Sequence, residues 1–326
     1  MFTHKDIETR TIFVINCIEH SRSLRVNGGE LLLEEMNEDK MTTLTKFPFQ
    51  KLLALFVIGH ITVTTPLIEK CKKFGVALVV VKPNLRPVFY WSDAAEGNFL
   101  LRKRQYALPD NDISIAKSLM KSKFRNQQTA LTKTRRKDAL TVDAIEKCSA
   151  AIQSLDSVED YDKLMGMEGM ISKCFFAAYF QNLDWHGRHP RIKDDIVNVT
   201  LDIGYTILFN FVECFLRMYG FDLYVGVYHR LWHQRKSLVC DMVEPFRCII
   251  DHTVLLAFHR RKFSAKDFTL VRHEYMLKQE RCCDYYKVFY DALISRKQEI
   301  FLFIQRYYRC FMGRKSVREY PIYEFK

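Results

Sequence analysis

Several features that would fix a function early are missing from this chain. Its ten cysteines include no CxxC pair, which excludes a zinc or iron–sulfur centre built on local cysteine spacing and leaves only cysteines gathered by the fold. No signal peptide is evident, and ten cysteines without one, Cys282 and Cys283 adjacent among them, point to reduced thiols in a cytoplasm. Long apolar runs are absent too. The longest, 52–58 and 75–81, are too short to cross a bilayer, and 205–219 is interrupted by Glu213 and Arg217, so the chain reads as soluble with no membrane partner. Acidic residues are outnumbered, 38 Asp and Glu against 50 Lys and Arg, for a net charge of +12. That surplus favours a polyanionic partner, nucleic acid ahead of a membrane surface.

What is present reads as an α+β chain of two domains: a small N-terminal β-sheet domain with one helix over 1–92, a linker at 93–98, and a larger all-α C-terminal domain over 99–326. Short β-branched or leucine runs at 11–16, 24–26, 31–34, 42–44, 53–58 and 76–81 predict strands, and Gly28-Gly29 predicts a hairpin. A helix capped at Thr64 or Thr65, with Pro66 in its first turn, closes at Gly75. No polar constellation stands out in this part, whose expected role is packing or dimerisation. The segment 91–98, WSDAAEGN, is rich in small and turn-forming residues.

Helical patterning begins at Phe99. The stretch 113–136 carries Lys117, Lys121, Lys123, Arg125, Lys133, Arg135 and Arg136, either a solvated face or a track for a phosphate backbone. A helix from a Ser157 cap holds Glu168 between Gly166 and Gly169. Those glycines weaken a helix by roughly 1 kcal/mol each relative to alanine, a cost that close approach of another helix or a DNA strand would justify. The loop 181–193 offers His186 and His189 with no carboxylate motif beside them, the pattern of a solvated loop. Asn198, Asp202 and Tyr205 lie off the apolar stripe of the next helix, 195–219. The tail from Met312 is basic and reads as loose.

Residues 226–247, GVYHRLWHQRKSLVCDMVEPFR, concentrate two histidines, four basic residues and two carboxylates. With Ser237 as N-cap, Asp241 and Glu244 share a helix face, and their repulsion of roughly 0.2–0.5 kcal/mol is relieved by a cation. A divalent metal there could take His229 as a nitrogen ligand. A solvated acidic face beside a core histidine has the same pattern. Pro245 places Glu244 where the helix kinks or stops.

Together GVYH, RKSLVCDMVEPFR and the upstream GMEG resemble the CRISPR-associated spacer-acquisition integrase family, Cas-one. GHITVTTPL at 59–67, EGNFLLRKRQY at 96–106 and NVTLDIGY at 198–205 extend the resemblance over nearly the whole chain, in a style most similar to members accompanying type V systems. The resemblance implies a prokaryotic, cytoplasmic metal-dependent DNA integrase with endonuclease activity, its Mg²⁺ or Mn²⁺ held by Glu168, His229 and Glu244 with Asp241 as acidic neighbour. Its product would be protospacer DNA joined through 3′-hydroxyls to CRISPR repeat ends. Arg235, Lys236 and Arg247 are the expected phosphate-gripping residues; a homodimer and pairing with the small Cas-two dimer are the expected assembly. The chain departs from the family pattern at Glu244, where many relatives carry aspartate, at Gln234, usually glycine, and at Cys248, often proline. The alternatives are a metal-dependent nuclease for branched DNA and a non-catalytic DNA-binding scaffold.

Overall fold

The computed structural model describes residues 4–37, 40–92, 97–109, 112–135, 137–183, 185, 187–190, 192–229 and 233–326. A short helix α1 (His4–Thr9) leads into β1 (Thr11–Cys17), followed by an antiparallel three-stranded sheet of β2 (Arg22–Asn27), β3 (Glu30–Asn37) and β4 (Lys40–Pro48). Then come β5 (Leu52–Gly59), α2 (Thr65–Phe74), β6 (Ala77–Val81) and β7 (Pro87–Trp91). The second sheet has order β1-β5-β6-β7, parallel except for β7. Gly28 and Gly29 make the tight β2–β3 turn, and α2 runs from a Thr64 cap to Gly75, both as the sequence predicts.

Every residue of β5 is buried, as expected of a parallel strand covered on both faces. One face of the sheet, with Ile15, Leu55, Val57 and Leu78, packs against Leu24, Leu31 and Leu33 of the small sheet. The other, with Phe56, Ile58 and Val79, belongs to the core of the helical part, where Phe56 stacks on Phe211 at 5.9 Å.

The helices are α3 (Phe99–Tyr106), α4 (Ser114–Thr132), α5 (Ala139–Ser154), α6 (Tyr161–Tyr179), α7 (Ile196–Tyr219), α8 (Ser237–Val243) and α9 (Arg247–His259). A hairpin of β8 (Phe268–Val271) and β9 (Glu274–Leu277) precedes α10 (Gln279–Ile294) and α11 (Lys297–Gly313). By length and composition α7 could cross a membrane, yet 72% of its apolar window is buried, and it serves as the central core helix.

Several element-level expectations change. The β part carries α1 beside α2, and α1 is tied to α11 through His4 and Gln298 at 3.1 Å. The strand β7, opened by a proline and lacking alternation, has no clear period in the sequence; it takes in Trp91 of the turn-rich 91–98 segment, and residues 93–96 of the expected linker lie outside the described residues. Asp160, not Ser157, caps α6 by accepting from Lys163 N at 2.7 Å. Lys236 rather than Ser237 sits at the cap position of α8. The helical part is not all helix, because Arg272 and His273 turn β8 back on β9 with positive φ. The tail is packed, not loose: Tyr320, Tyr323 and Phe325 are buried.

Candidate active site

Glu168 stands on α6, and Glu244 opens the 3-10 turn Glu244–Phe246 where Pro245 ends α8. Their carboxylates meet at one ammonium. Lys123 of α4 bonds Glu168 Oε1 and lies 2.7 Å from Glu244 Oε2. Ser172, one turn past Glu168, donates to Glu168 Oε1 at 2.9 Å, and Arg247 Nε lies 2.8 Å from Glu244 Oε2. Lys123 falls on the buried face of α4 with Ala116, Met120, Gln127 and Ala130, so the helix itself carries the charge inward.

Asp241 does not share this position. Its carboxylate, fully buried, accepts from the backbone N–H of Val227 at 2.6 Å, Tyr228 at 3.0 Å and His229 at 2.9 Å, and lies 2.6 Å from His229 Nδ1. Gly226 permits this wrap, since a Cβ there would stand 2.5 Å from Asp241 Oδ2. With Nδ1 engaged by a carboxylate, the imidazole is fixed in orientation and Nε2 is the nitrogen left for a ligand. Among the described residues no three His, Cys, Asp or Glu side chains already stand as a metal cluster: two carboxylates converge on Lys123, and His229 is turned to Asp241.

Tyr228 connects the two groups. Its ring lies edge-on to His229 with centroids 5.0 Å apart, and its buried hydroxyl has no hydrogen-bond partner among the described residues. Burial first, then the charges of Glu168 and Glu244, raise its pKa. Burial alone would raise the pKa of Glu244, but Arg247 and Lys123 outweigh it and bring the group to about 2. Glu168 is likewise lowered: burial opposes ionisation and Lys123 overcomes it. Lys123 is held charged because Glu244 and Glu168 outweigh its desolvation.

Glu168 opens onto a cleft of about 840 Å³, with Glu244 buried behind it; the charged lining is Arg86, Lys123, Arg188, Lys193 and Arg247 against Glu168, Asp202 and Asp251. Arg188 reaches Asn198 Oδ1 at 3.0 Å and Asp202 Oδ1 at 2.5 Å. Arg247 lies over the Tyr205 ring at 4.6 Å, and the Tyr205 hydroxyl donates to Asp251. Asn198, Asp202 and Tyr205 are thereby the residues that brace the cleft's arginines. His189 pairs with Asp194, while His186 and Arg136 lie outside the described residues, as do Arg230, Leu231 and Trp232 in the middle of 226–247. Nothing described lies within 4 Å of a Cβ placed at Gly166 or Gly169, so α6 is open at its two glycines, while Glu168 meets Lys123 of α4.

The expected phosphate-gripping residues divide. Arg235 is exposed; Lys236 is engaged by buried Glu213 at 2.6 and 2.8 Å; Arg247 lines the cleft while paired to Glu244. Sequence reasoning passed over Lys123, Tyr228 and Asp251. The signal for Lys123 was its place on the apolar stripe of α4, where a solvated lysine does not belong; Tyr228 and Asp251 carried none.

The chain matches the family described as "CRISPR associated protein Cas1" over residues 16–290. It is 30% identical over 232 residues to the CRISPR-associated endonuclease Cas1 1 of Thermodesulfovibrio yellowstonii, covering 68% of this chain and 73% of that one. Among solved structures, a casposase bound to integration product matches with a TM-score of 0.73 at 19% identity, over 96% of this chain and 94% of that one. A chain of a Cas6-RT-Cas1–Cas2 complex matches with a TM-score of 0.76 at 18% identity, over 98% of this chain and 36% of that one. These two likenesses concern the fold; the sequence matches carry the relationship, and by them this chain belongs to the Cas1 family.

Proposed function

We propose that the chain is a prokaryotic, cytoplasmic DNA integrase of CRISPR adaptation, joining 3′-hydroxyl ends of protospacer duplex to CRISPR repeat ends by metal-dependent transesterification. The observation that carries this reading is the convergence of Glu168 and Glu244, from distant parts of the chain, on a single cation position beside a basic cleft. Its relatives are named as CRISPR-associated endonucleases, and its fold resembles a casposase bound to integration product.

The donor set suits Mg²⁺ or Mn²⁺: two carboxylates already aimed at one cation, a buried Tyr228 hydroxyl without a partner, and an imidazole whose Nδ1 is fixed. Glu168, Glu244 and His229 would hold the ion, and Asp241 would orient His229. When bound, the ion lowers the pKa of the attacking hydroxyl and neutralises charge developing on the phosphate. Arg247, fixed by Glu244 and Tyr205, is placed to hold a phosphate oxygen at the cleft, and Arg235 and Lys236 would hold flanking phosphates. The open surface at Gly166 and Gly169 leaves room for a DNA strand to approach the backbone of α6. No protein nucleophile is needed in this scheme.

Homodimerisation through the β part and pairing with Cas2 belong to the same proposal, supported by the fold's likeness to a chain of a Cas1–Cas2 complex. To test the reaction, a duplex with 3′-hydroxyl ends is incubated with a supercoiled repeat-containing plasmid and Mn²⁺. Wild type should join donor to plasmid and Glu168→Ala should not. Junction cleavage without joining would favour the branched-DNA nuclease, and plasmid untouched by either protein would favour the scaffold.

A further inference from the structure

We infer that Lys123 is an internal cation that keeps the place between Glu168 and Glu244 in the absence of a divalent ion and moves into the cleft when one binds, so that metal and DNA phosphate load together. The inference rests on the reading of those two carboxylates as metal ligands. It begins with exclusion. An ion at roughly 2.0–2.2 Å from the same oxygens cannot coexist with an ammonium 2.7 Å from Glu244 Oε2, because the two positions coincide and the charges repel.

Charge balance points the same way. Glu168 and Glu244 are matched by Lys123 and Arg247, so a divalent ion added with both bases in place would leave an uncompensated double charge among largely buried groups. Of the two bases, Lys123 is the one free to leave. Arg247 is held by Glu244 and by the Tyr205 ring at 4.6 Å, whereas lysine is a point charge on a flexible four-carbon stem. The cleft gives it somewhere to go, since Lys123 already lines that space with Arg188, Lys193 and Arg247. A DNA phosphate there would accept the released ammonium, and by linkage each ligand then strengthens the other.

Calorimetric titration of Mn²⁺ into the chelator-stripped full chain tests this, using wild type, Lys123→Met and Lys123→Arg, each with and without a short blunt DNA duplex. Without DNA, Lys123→Met should bind Mn²⁺ about tenfold tighter than wild type, and Lys123→Arg no tighter; DNA should tighten Mn²⁺ binding about tenfold in wild type and about threefold or less in Lys123→Met. Equal or weaker binding in Lys123→Met overturns the inference and leaves the metal reading intact. No Mn²⁺ bound by any of the three proteins overturns both. Should Lys123→Met fail to fold without metal, wild type decides alone: reductive methylation read by mass spectrometry should find Lys123 protected in chelator and modified after Mn²⁺ addition. Equal protection in the two conditions overturns the inference.

Discussion

Asp241 illustrates how much a single carboxylate can organise here. It satisfies three successive backbone N–H groups and one imidazole nitrogen, so its removal strands several buried donors at once. Asp241→Ala should cost roughly 2–4 kcal/mol in urea unfolding and abolish DNA joining, since the loop that presents His229 loses its anchor. Asp251 makes a pH prediction. Burial raises its pKa to about 7, against the opposing Tyr205 hydrogen bond and the charges of Arg247 and Arg188. The folded state therefore binds this proton better than the unfolded chain. The associated stability is complete below about pH 4 and is lost as pH rises towards 7, at up to about 1.4 kcal/mol per unit. Urea unfolding at pH 5 and pH 8 should show wild type losing more stability than Asp251→Asn; equal losses would contradict the assignment. The candidate ligands Glu168, His229 and Glu244 came from the family resemblance of GMEG, GVYH and RKSLVCDMVEPFR; the structure brings Glu168 and Glu244 to one ammonium and turns His229 to Asp241. Lys123 sat in a basic run, set apart from Lys117 and Lys121 only by its place on the apolar stripe of α4, and the carboxylates it meets are remote in sequence.

At the scale of elements, the C-terminal tail and α4 act together. Tyr323 N donates to Ser122 Oγ at 3.2 Å and Phe325 N to Asn126 Oδ1 at 2.9 Å, while Asn126 Nδ2 donates to Pro245 O at 2.8 Å. The tail thus reaches, through one asparagine, the turn that carries Glu244. Deleting residues 321–326 exposes the sites of Tyr323 and Phe325, each worth roughly 1.5–3 kcal/mol of burial, and should lower Tm and weaken Mn²⁺ binding together. A truncated chain with unchanged Tm would show the tail to be dispensable. Strands that are runs of β-branched or leucine residues, such as β1 and β5, and helices with caps and apolar stripes, such as α2 and α7, could be read in advance. The tail could not, because its basic composition resembles that of a loose end and its partners on α4 lie some two hundred positions away. The β8–β9 hairpin escaped for a different reason: Arg272 and His273 occupy positive φ positions that asparagine or glycine ordinarily signals.

For the molecule as a whole, the shared sheet face joins β part and helices into one core, and within a chain of net charge +12 the cleft lining has five basic side chains against three acidic ones. Affinity for duplex DNA should fall steeply with salt, and Arg235→Ala should lower the slope of log K against log salt by about 1 in anisotropy titrations without altering sequence preference. An unchanged slope would remove Arg235 from the DNA path. The claim on which the account turns is that Glu168 and Glu244 belong to one metal centre. Anomalous diffraction at the manganese edge from crystals soaked in Mn²⁺ tests it most directly. The account predicts a peak between these two carboxylates, with His229 as a ligand and the Lys123 ammonium gone from that place; a peak elsewhere, or Lys123 still bridging both carboxylates in a crystal saturated with Mn²⁺, would contradict it.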